Sequence, residues 1–261
     1  MTDLVPRIQQ AYFRNGPEHR SGADVSFLDI VKIFGFQSIK IGRWVTAAEQ
    51  QLAANLFFDA LSDLMLLLQV PERVISLNQS LSLNFGIGGQ QGSCAFYQPQ
   101  GRLLALAKNA GGGSLAHEWF HAFDHYICSK LFTDELPTTA FASSSWLNNA
   151  TVSPHPLNTY LDQSFATLFL SATGTEPNSY VKTSAAFDQS HGIYYYAKPE
   201  ELAARAFEHM LQQQRLKNSF LVSGTLKSKA AKAGLYPDPA LSAVLAQHWL
   251  GYFSLLGRAL S

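Results

Sequence analysis

An α+β fold, mainly helical with a small sheet, is what this sequence predicts, and three observations carry the prediction. Apolar residues recur at helical spacing after Thr46, after Ser114, after Pro199 and after Pro239. Short apolar runs bounded by Gly, Asn or Pro fall between the first two of these stretches and read as strands. Hydrophobic residues make up 47% of the chain and charged ones 15%, which leaves enough apolar surface to bury a sizeable core.

The elements follow in order. Residues 1–33 read as a polar N-terminal segment and residues 34–261 as one domain, with no internal repeat or linker to divide it. Thr46 and Glu49 have the spacing of a capping box, and Leu52, Leu56, Ala60, Leu64 and Leu67 continue a helix up to the stop at Pro71. Residues 74–77, 81–85 and 102–107 read as strands. Gly111, Gly112 and Gly113 break the chain, Ser114 is placed to cap, and residues 115–128 read as a buried helix. Residues 133–156, rich in Ser, Thr, Asn and Pro, read as a long surface segment, either a lid or a plain connection. Pro199 suits the first turn of a helix running to about Gln214. Pro237 and Pro239 precede a last helix carrying Leu241, Leu245, Trp249, Tyr252 and Leu256.

Charge and cysteine content exclude several classes of function. Lys plus Arg equals Asp plus Glu at 19 each, so no global field draws in a polyanion. Lys227, Lys229 and Lys232 read as a solvated face, and no nucleic-acid partner is expected. Arg7, Arg14, Glu18 and Arg20 interrupt the N-terminal stretch, which does not read as a secretion signal, and the longest apolar run, residues 64–68, is far short of a bilayer span. A soluble, cytoplasmic protein without membrane contact is expected. Cys94 and Cys128 are too few for a disulfide framework and read as reduced thiols.

The chemistry centres on His117-Glu118-Trp119-Phe120-His121, an H-E-x-x-H pattern inside a strong helix signal. Residues four apart share a helical face, so the two imidazoles reach one cation, while Glu118 points toward water bound there. A glycine break and a strand precede the helix, which is how a zincin presents its metal helix beside an edge strand. Catalytic zinc takes three protein ligands and keeps one position open. His125 lies more than a turn past His121 and cannot close the site. Asp124 reads either as a carboxylate that orients His121 or another helix-borne partner, or as a plain surface carboxylate. The third ligand is sought in residues 199–208, where one of Glu200 and Glu201 faces the metal. Arg205, four residues after Glu201, shares its face and can hold a metal-site carboxylate in its fork.

Together with Phe34-Gly35-Phe36, Ile75-Ser76-Leu77-Asn78, Leu83-Asn84-Phe85-Gly86 and Ala95-Phe96-Tyr97, the run from Gly111 to Asp124 resembles the first large polyvalent protein-associated domain. That is a zinc peptidase domain predicted in long plasmid- and phage-borne polyproteins. Tyr195-Tyr196-Ala197-Lys198-Pro199-Glu200-Glu201 through Glu208, and Asn218 to Val222, continue the likeness, which thus covers roughly residues 34–222. Phe120 stands where the family often has glycine, and Ala203 where an aromatic is common.

The resemblance implies a zincin-like fold of the gluzincin type, one zinc ion held by His117, His121 and Glu201, and Glu118 as general base. Similarity to toxin-type zincins favours Glu201 over Glu200. The same similarity places an assisting tyrosine seven residues before the ligand, at Tyr194, whereas the family's own Tyr-Trp pair aligns with Tyr195-Tyr196. The expected activity is zinc metallopeptidase hydrolysis of a peptide or protein, with residues 103–107 as an edge strand for an extended substrate. The alternative is a non-catalytic zinc-binding interaction protein of mobile-element origin.

Overall fold

The computed structural model describes residues 7–87, 95–107 and 112–260. The Cys94 thiol, the start of the N-terminal segment and the first glycine of the 111–113 break lie outside the described residues. The chain divides into two compact units, residues 1–122 with 214–223 and residues 123–213 with 224–261. Among the described residues the fold is α+β, with ten α-helices and a small mixed sheet of four strands.

In the first unit, Ser26 caps α1 (Phe27–Phe34), which β1 (Ser38–Ile41) follows. Thr46 and Glu49 form the expected reciprocal capping box at the start of α2 (Ala47–Leu68), and loss of such a cap costs about 1 kcal/mol. After α3 (Glu72–Ile75) come β2 (Ser82–Phe85), β3 (Ala95–Gln98) and β4 (Leu103–Leu106). The strand order is β1-β2-β4-β3. β1, β2 and β4 run parallel, with Ile39 opposite Leu83 and Leu83 opposite Leu104, and β3 is antiparallel to β4. The crossover through α2 and α3 lets β1 and β2 be parallel neighbours. Leu83 and Phe85 are buried on one face of β2, where Phe85 meets the rings of Phe27 and Phe57 at 5.8 and 5.9 Å. This aromatic cluster is the centre of the unit's core, and Phe220 joins it at 5.3 Å from Phe57.

α2 is long and apolar enough, by length and composition, to cross a membrane, and half of its most apolar window is buried. Its buried face carries Ala53, Ala54, Phe57, Ala60, Leu61, Leu64 and Leu68. Leu52 is exposed and Leu56 half-buried, so the inward stripe is rotated from the Leu52-Leu56 line that the spacing suggested. Asp63 lies on the buried side with no exposed surface, and its oxygens accept from Arg14 at 2.6 and 2.7 Å, His19 at 2.8 Å and Asn218 at 2.8 Å. Hydrogen bonding to Asp63 raises the Arg14 pKa.

Asn218 also accepts the N–H groups of Phe220 and Leu221, both at 3.0 Å. Their carbonyls in turn accept from Gly113 at 2.7 Å and Ala116 at 3.0 Å, which anchors the entry of α4 (Leu115–Leu131). The glycines there are needed for close approach. A Cβ on Gly112 would stand 2.6 Å from the Phe220 Cα, and Gly113 has φ +108°, a conformation that L side chains rarely adopt.

The division between units falls inside α4, at Ala122 and Phe123. The second unit contains α5 (Ala142–Leu147), α6 (Pro156–Phe169), α7 (Ser179–His191), α8 (Pro199–Gln213), α9 (Lys229–Lys232) and α10 (Pro239–Leu260). α10 packs along α6 and against α8. Phe207 of α8 meets Trp249 at 5.8 Å and Phe253 at 6.3 Å, and Phe123 meets Phe253 at 5.0 Å. α8 is buried continuously from Leu202 to Leu211.

Three sequence expectations are corrected. Residues 74–77 do not form a strand: Pro71 starts α3 instead, and Leu77, Asn78 and Gln79 turn back with positive φ. Residues 103–107 do not form an edge, because β4 pairs with β2 on one side and β3 on the other. Residues 133–156 are not a bare surface segment. They contain α5, whose Ala142, Ser143 and Ser145 are buried, and Thr133 donates to the Thr151 carbonyl at 2.9 Å.

Asp63→Ala should destabilise the protein by about 3 kcal/mol or more, because it strands a partly buried guanidinium and removes the acceptor for Asn218. Urea unfolding monitored by circular dichroism measures this. A loss below about 0.5 kcal/mol, the scale of an ordinary surface change, would show that the network does not tie the unit together.

Candidate metal centre

α4 carries His117 and His121 one turn apart, and their Nε2 atoms lie 3.1 Å from each other. Two nitrogens on a tetrahedral zinc, each about 2.0–2.1 Å from the metal, are about 3.3 Å apart, so the pair has the spacing that a shared cation requires. The two residues between them that are not Glu118 are core anchors. Trp119 is fully buried and its Nε1 donates to the Ile75 carbonyl at 2.9 Å, and Phe120 is 1% exposed. This locks the rotation of α4 in the first unit, and it explains a large side chain at position 120: Phe120 fills core that a glycine would leave empty. Glu118 is buried, one residue from His117.

His117, His121 and Glu201 each offer one ligand atom within 4.8 Å of the others, so the group could hold a metal ion. Two imidazole nitrogens and one carboxylate oxygen are a donor set suited to zinc, and three ligands leave a coordination position open. Glu200 is engaged differently, accepting from the Ser144 Oγ at 3.0 Å.

Asp124 is 1% exposed and therefore no surface carboxylate. It accepts the Ser143 N–H at 2.8 Å and the Ser143 Oγ–H at 2.5 Å, and so anchors the first turn of α5. Arg205 is also buried, and its fork grips backbone rather than a carboxylate. It donates to the carbonyls of Glu201 at 3.1 Å, Leu235 at 3.2 Å and Tyr196. Its guanidinium lies 4.9 Å from the centre of the Tyr196 ring. Among the three candidate tyrosines, Tyr194 is 69% exposed, Tyr195 43%, and Tyr196 is half-buried against Phe187.

Asp188 is a residue that sequence reasoning missed. It lies in the last turn of α7 and accepts three successive N–H groups, from Tyr195, Tyr196 and Ala197, at 2.9, 3.1 and 2.8 Å. Burial pushes its carboxyl pKa up, but those three donors outweigh burial and hold it below the usual carboxylate value. A polar residue on a helix gives no sequence signal of such a role.

Other features of the second unit stand apart from these residues. A cavity of about 450 Å³ is lined by residues of α7, the end of α8 and residues 225–239, none of them a predicted site residue. At its wall His209 lies against Tyr236 and bonds to Thr225 and Gln213, and burial lowers its pKa. Cys128 is a buried free thiol whose pKa burial raises. Lys227, Lys229 and Lys232 are exposed.

Comparison with protein families matches residues 187–260 to the large polyvalent protein-associated domain 1. The match supports the likeness to that family and includes Glu201 and Arg205, but it does not extend over residues 117–121. Neither the curated proteins nor the solved structures contain a match to the chain.

Zinc titration in competition with a chromogenic chelator ranks the residues. Glu201→Ala should weaken binding by more than the roughly ten- to hundredfold that loss of an outer partner costs, and Glu200→Ala far less. Loss of the metal in Asp124→Ala with retention in Glu201→Ala would exclude this donor set.

Proposed function

We propose that the protein is a zinc-dependent hydrolase acting on peptide or protein substrates. The observation that carries this reading is that His117, His121 and Glu201 each offer a ligand atom within 4.8 Å of the others, with Glu118 next to the first histidine on the same helix. Zinc bound there would lower the pKa of its water to about 7 and polarise a scissile carbonyl. Glu118 takes the proton from the attacking water and returns it to the leaving nitrogen. One hydroxyl among Tyr194, Tyr195 and Tyr196 donates to the developing oxyanion. The partial match to the large polyvalent protein-associated domain supports the same reading, as does the presence of a carboxylate at position 118, where a binding protein would need none.

Substrate pairing through β4 is no part of the proposal, since that strand is internal. The equal numbers of acidic and basic residues favour a polypeptide over a nucleic acid as substrate.

The test is Glu118→Gln. Zinc-loaded wild type, incubated with a proteome-derived peptide library and read by mass spectrometry, should generate new termini. The variant should keep its zinc and lose at least about a hundredfold in rate, because the amide preserves shape but cannot accept the proton. Equal turnover by the variant would remove Glu118 from the mechanism. Zinc binding without cleavage by the wild type would favour a metal-binding interaction protein instead.

A further inference from the structure

The turn that leads into α8 is pinned from two directions. From α7, the buried Asp188 carboxylate gathers the N–H groups of Tyr195, Tyr196 and Ala197. From α8, the buried Arg205 guanidinium donates to the Tyr196 carbonyl. The peptide unit joining Tyr196 to Ala197 is therefore held at both polar ends, its carbonyl by a cation and its N–H by an anion. Charge-assisted hydrogen bonds of this kind are about twice as strong as neutral ones. The Lys198 N–H closes the turn on the Tyr195 carbonyl at 3.2 Å, and the Leu202 N–H donates to the Lys198 carbonyl at 2.9 Å as the helix begins.

Glu201 lies in that first turn. Its own carbonyl receives Arg205 Nε at 3.1 Å, so the same guanidinium that grips Tyr196 also grips the backbone of Glu201. Gly192, left-handed at φ 63°, ends α7 and lets the chain fold back far enough for Asp188 to meet residues seven to nine positions later. A generic helix entry needs only a cap for its free N–H groups. Here a second helix supplies a buried carboxylate to residues that precede the helix.

We propose that Asp188 is a positioning residue for the metal carboxylate: acting through the pinned turn and Arg205, it determines where Glu201 delivers its oxygen. The proposal rests on the reading of His117, His121 and Glu201 as a zinc site. It assigns Asp188 no contact with metal or substrate.

The test uses Asp188→Asn, which keeps size but turns one accepting oxygen toward the amides into an N–H₂ donor. Wild type, His117→Ala and Asp188→Asn are titrated with zinc against a chromogenic chelator. Hydrogen exchange of residues 195–197 and the visible spectrum of the cobalt-substituted protein are recorded alongside. In Asp188→Asn, zinc should bind about tenfold more weakly, the three amides should exchange faster, and the cobalt bands should change in intensity as the coordination geometry relaxes. A purely structural role would speed exchange and leave affinity and spectrum at wild-type values, and that result overturns the proposal. Equal zinc binding by wild type and His117→Ala overturns the metal reading itself, which is a separate failure. If Asp188→Asn does not fold, Arg205→Lys serves in its place, since an ammonium keeps the charge but cannot bridge the Tyr196, Glu201 and Leu235 carbonyls together. The same loss is expected, and wild-type affinity and spectrum would again overturn the role.

Discussion

Asp63 sits in the C-terminal third of α2 with no exposed surface, and a carboxylate is tolerable there because Arg14, His19 and Asn218 converge on its two oxygens. Left unpaired in the interior, such a group would cost several kcal/mol. The requirement draws together three stretches of the first unit that are far apart in sequence: the segment before α1, α2 itself, and the returning residues 214–223. Asn218 passes the constraint on. Its side chain arranges Phe220 and Leu221, and their carbonyls hold Gly113 and Ala116 at the entry of α4. The two histidines inherit their placement from this chain of hydrogen bonds and from Trp119, which fixes the rotation of the helix that bears them.

The second unit meets a similar demand on α8, where Arg205, Glu208 and His209 are buried among apolar neighbours. Each has partners: Arg205 three carbonyls, Glu208 the Tyr236 hydroxyl at 3.2 Å, and His209 the side chains of Thr225 and Gln213. Buried polar groups satisfied in this way give a helix one allowed position, which apolar packing alone does not do as sharply. Glu201 stands at the start of that helix, so its placement depends on groups outside the proposed metal site. This is the division of labour expected of functional sites, in which ligating side chains depend on the shell that holds them.

The parts of the fold that could be read from the chain were those whose signal is local. The Thr46 and Glu49 capping box, the helix after Ser114 and the helix opened by Pro199 all follow from spacings of three or four residues or from the conformational limits of proline. The short run Val74-Ile75-Ser76-Leu77 carries no period long enough to separate a strand from a helical turn, and α3 ends within it at Ile75. The order of strands could not be anticipated either, because β4 becomes internal only through pairing with β2 and β3. α6 carries a local signal as well, since Pro156 opens it and Leu161, Phe165 and Leu168 recur at helical spacing, whereas α7 mixes Ser, Thr, Lys, Asp and Gln with few apolar residues and has only a weak pattern.

By itself the sequence determined that His117 and His121 would face one way from a helix, since that is a consequence of 3.6 residues per turn, and that Glu118 would accompany them. It also narrowed the third donor to an adjacent pair, Glu200 and Glu201. The tertiary structure treats the two differently, giving Glu200 to Ser144 and placing Glu201 in a group with the histidines that could hold a metal ion. Likewise it turned Arg205 toward carbonyls, Asp124 toward Ser143, and Asp188 toward the turn before α8. The physical reason is the same in each case. A charged side chain on a helix is equally compatible with water, a carboxylate or a backbone carbonyl, and the choice is made by whichever partner the rest of the fold brings within about 3 Å.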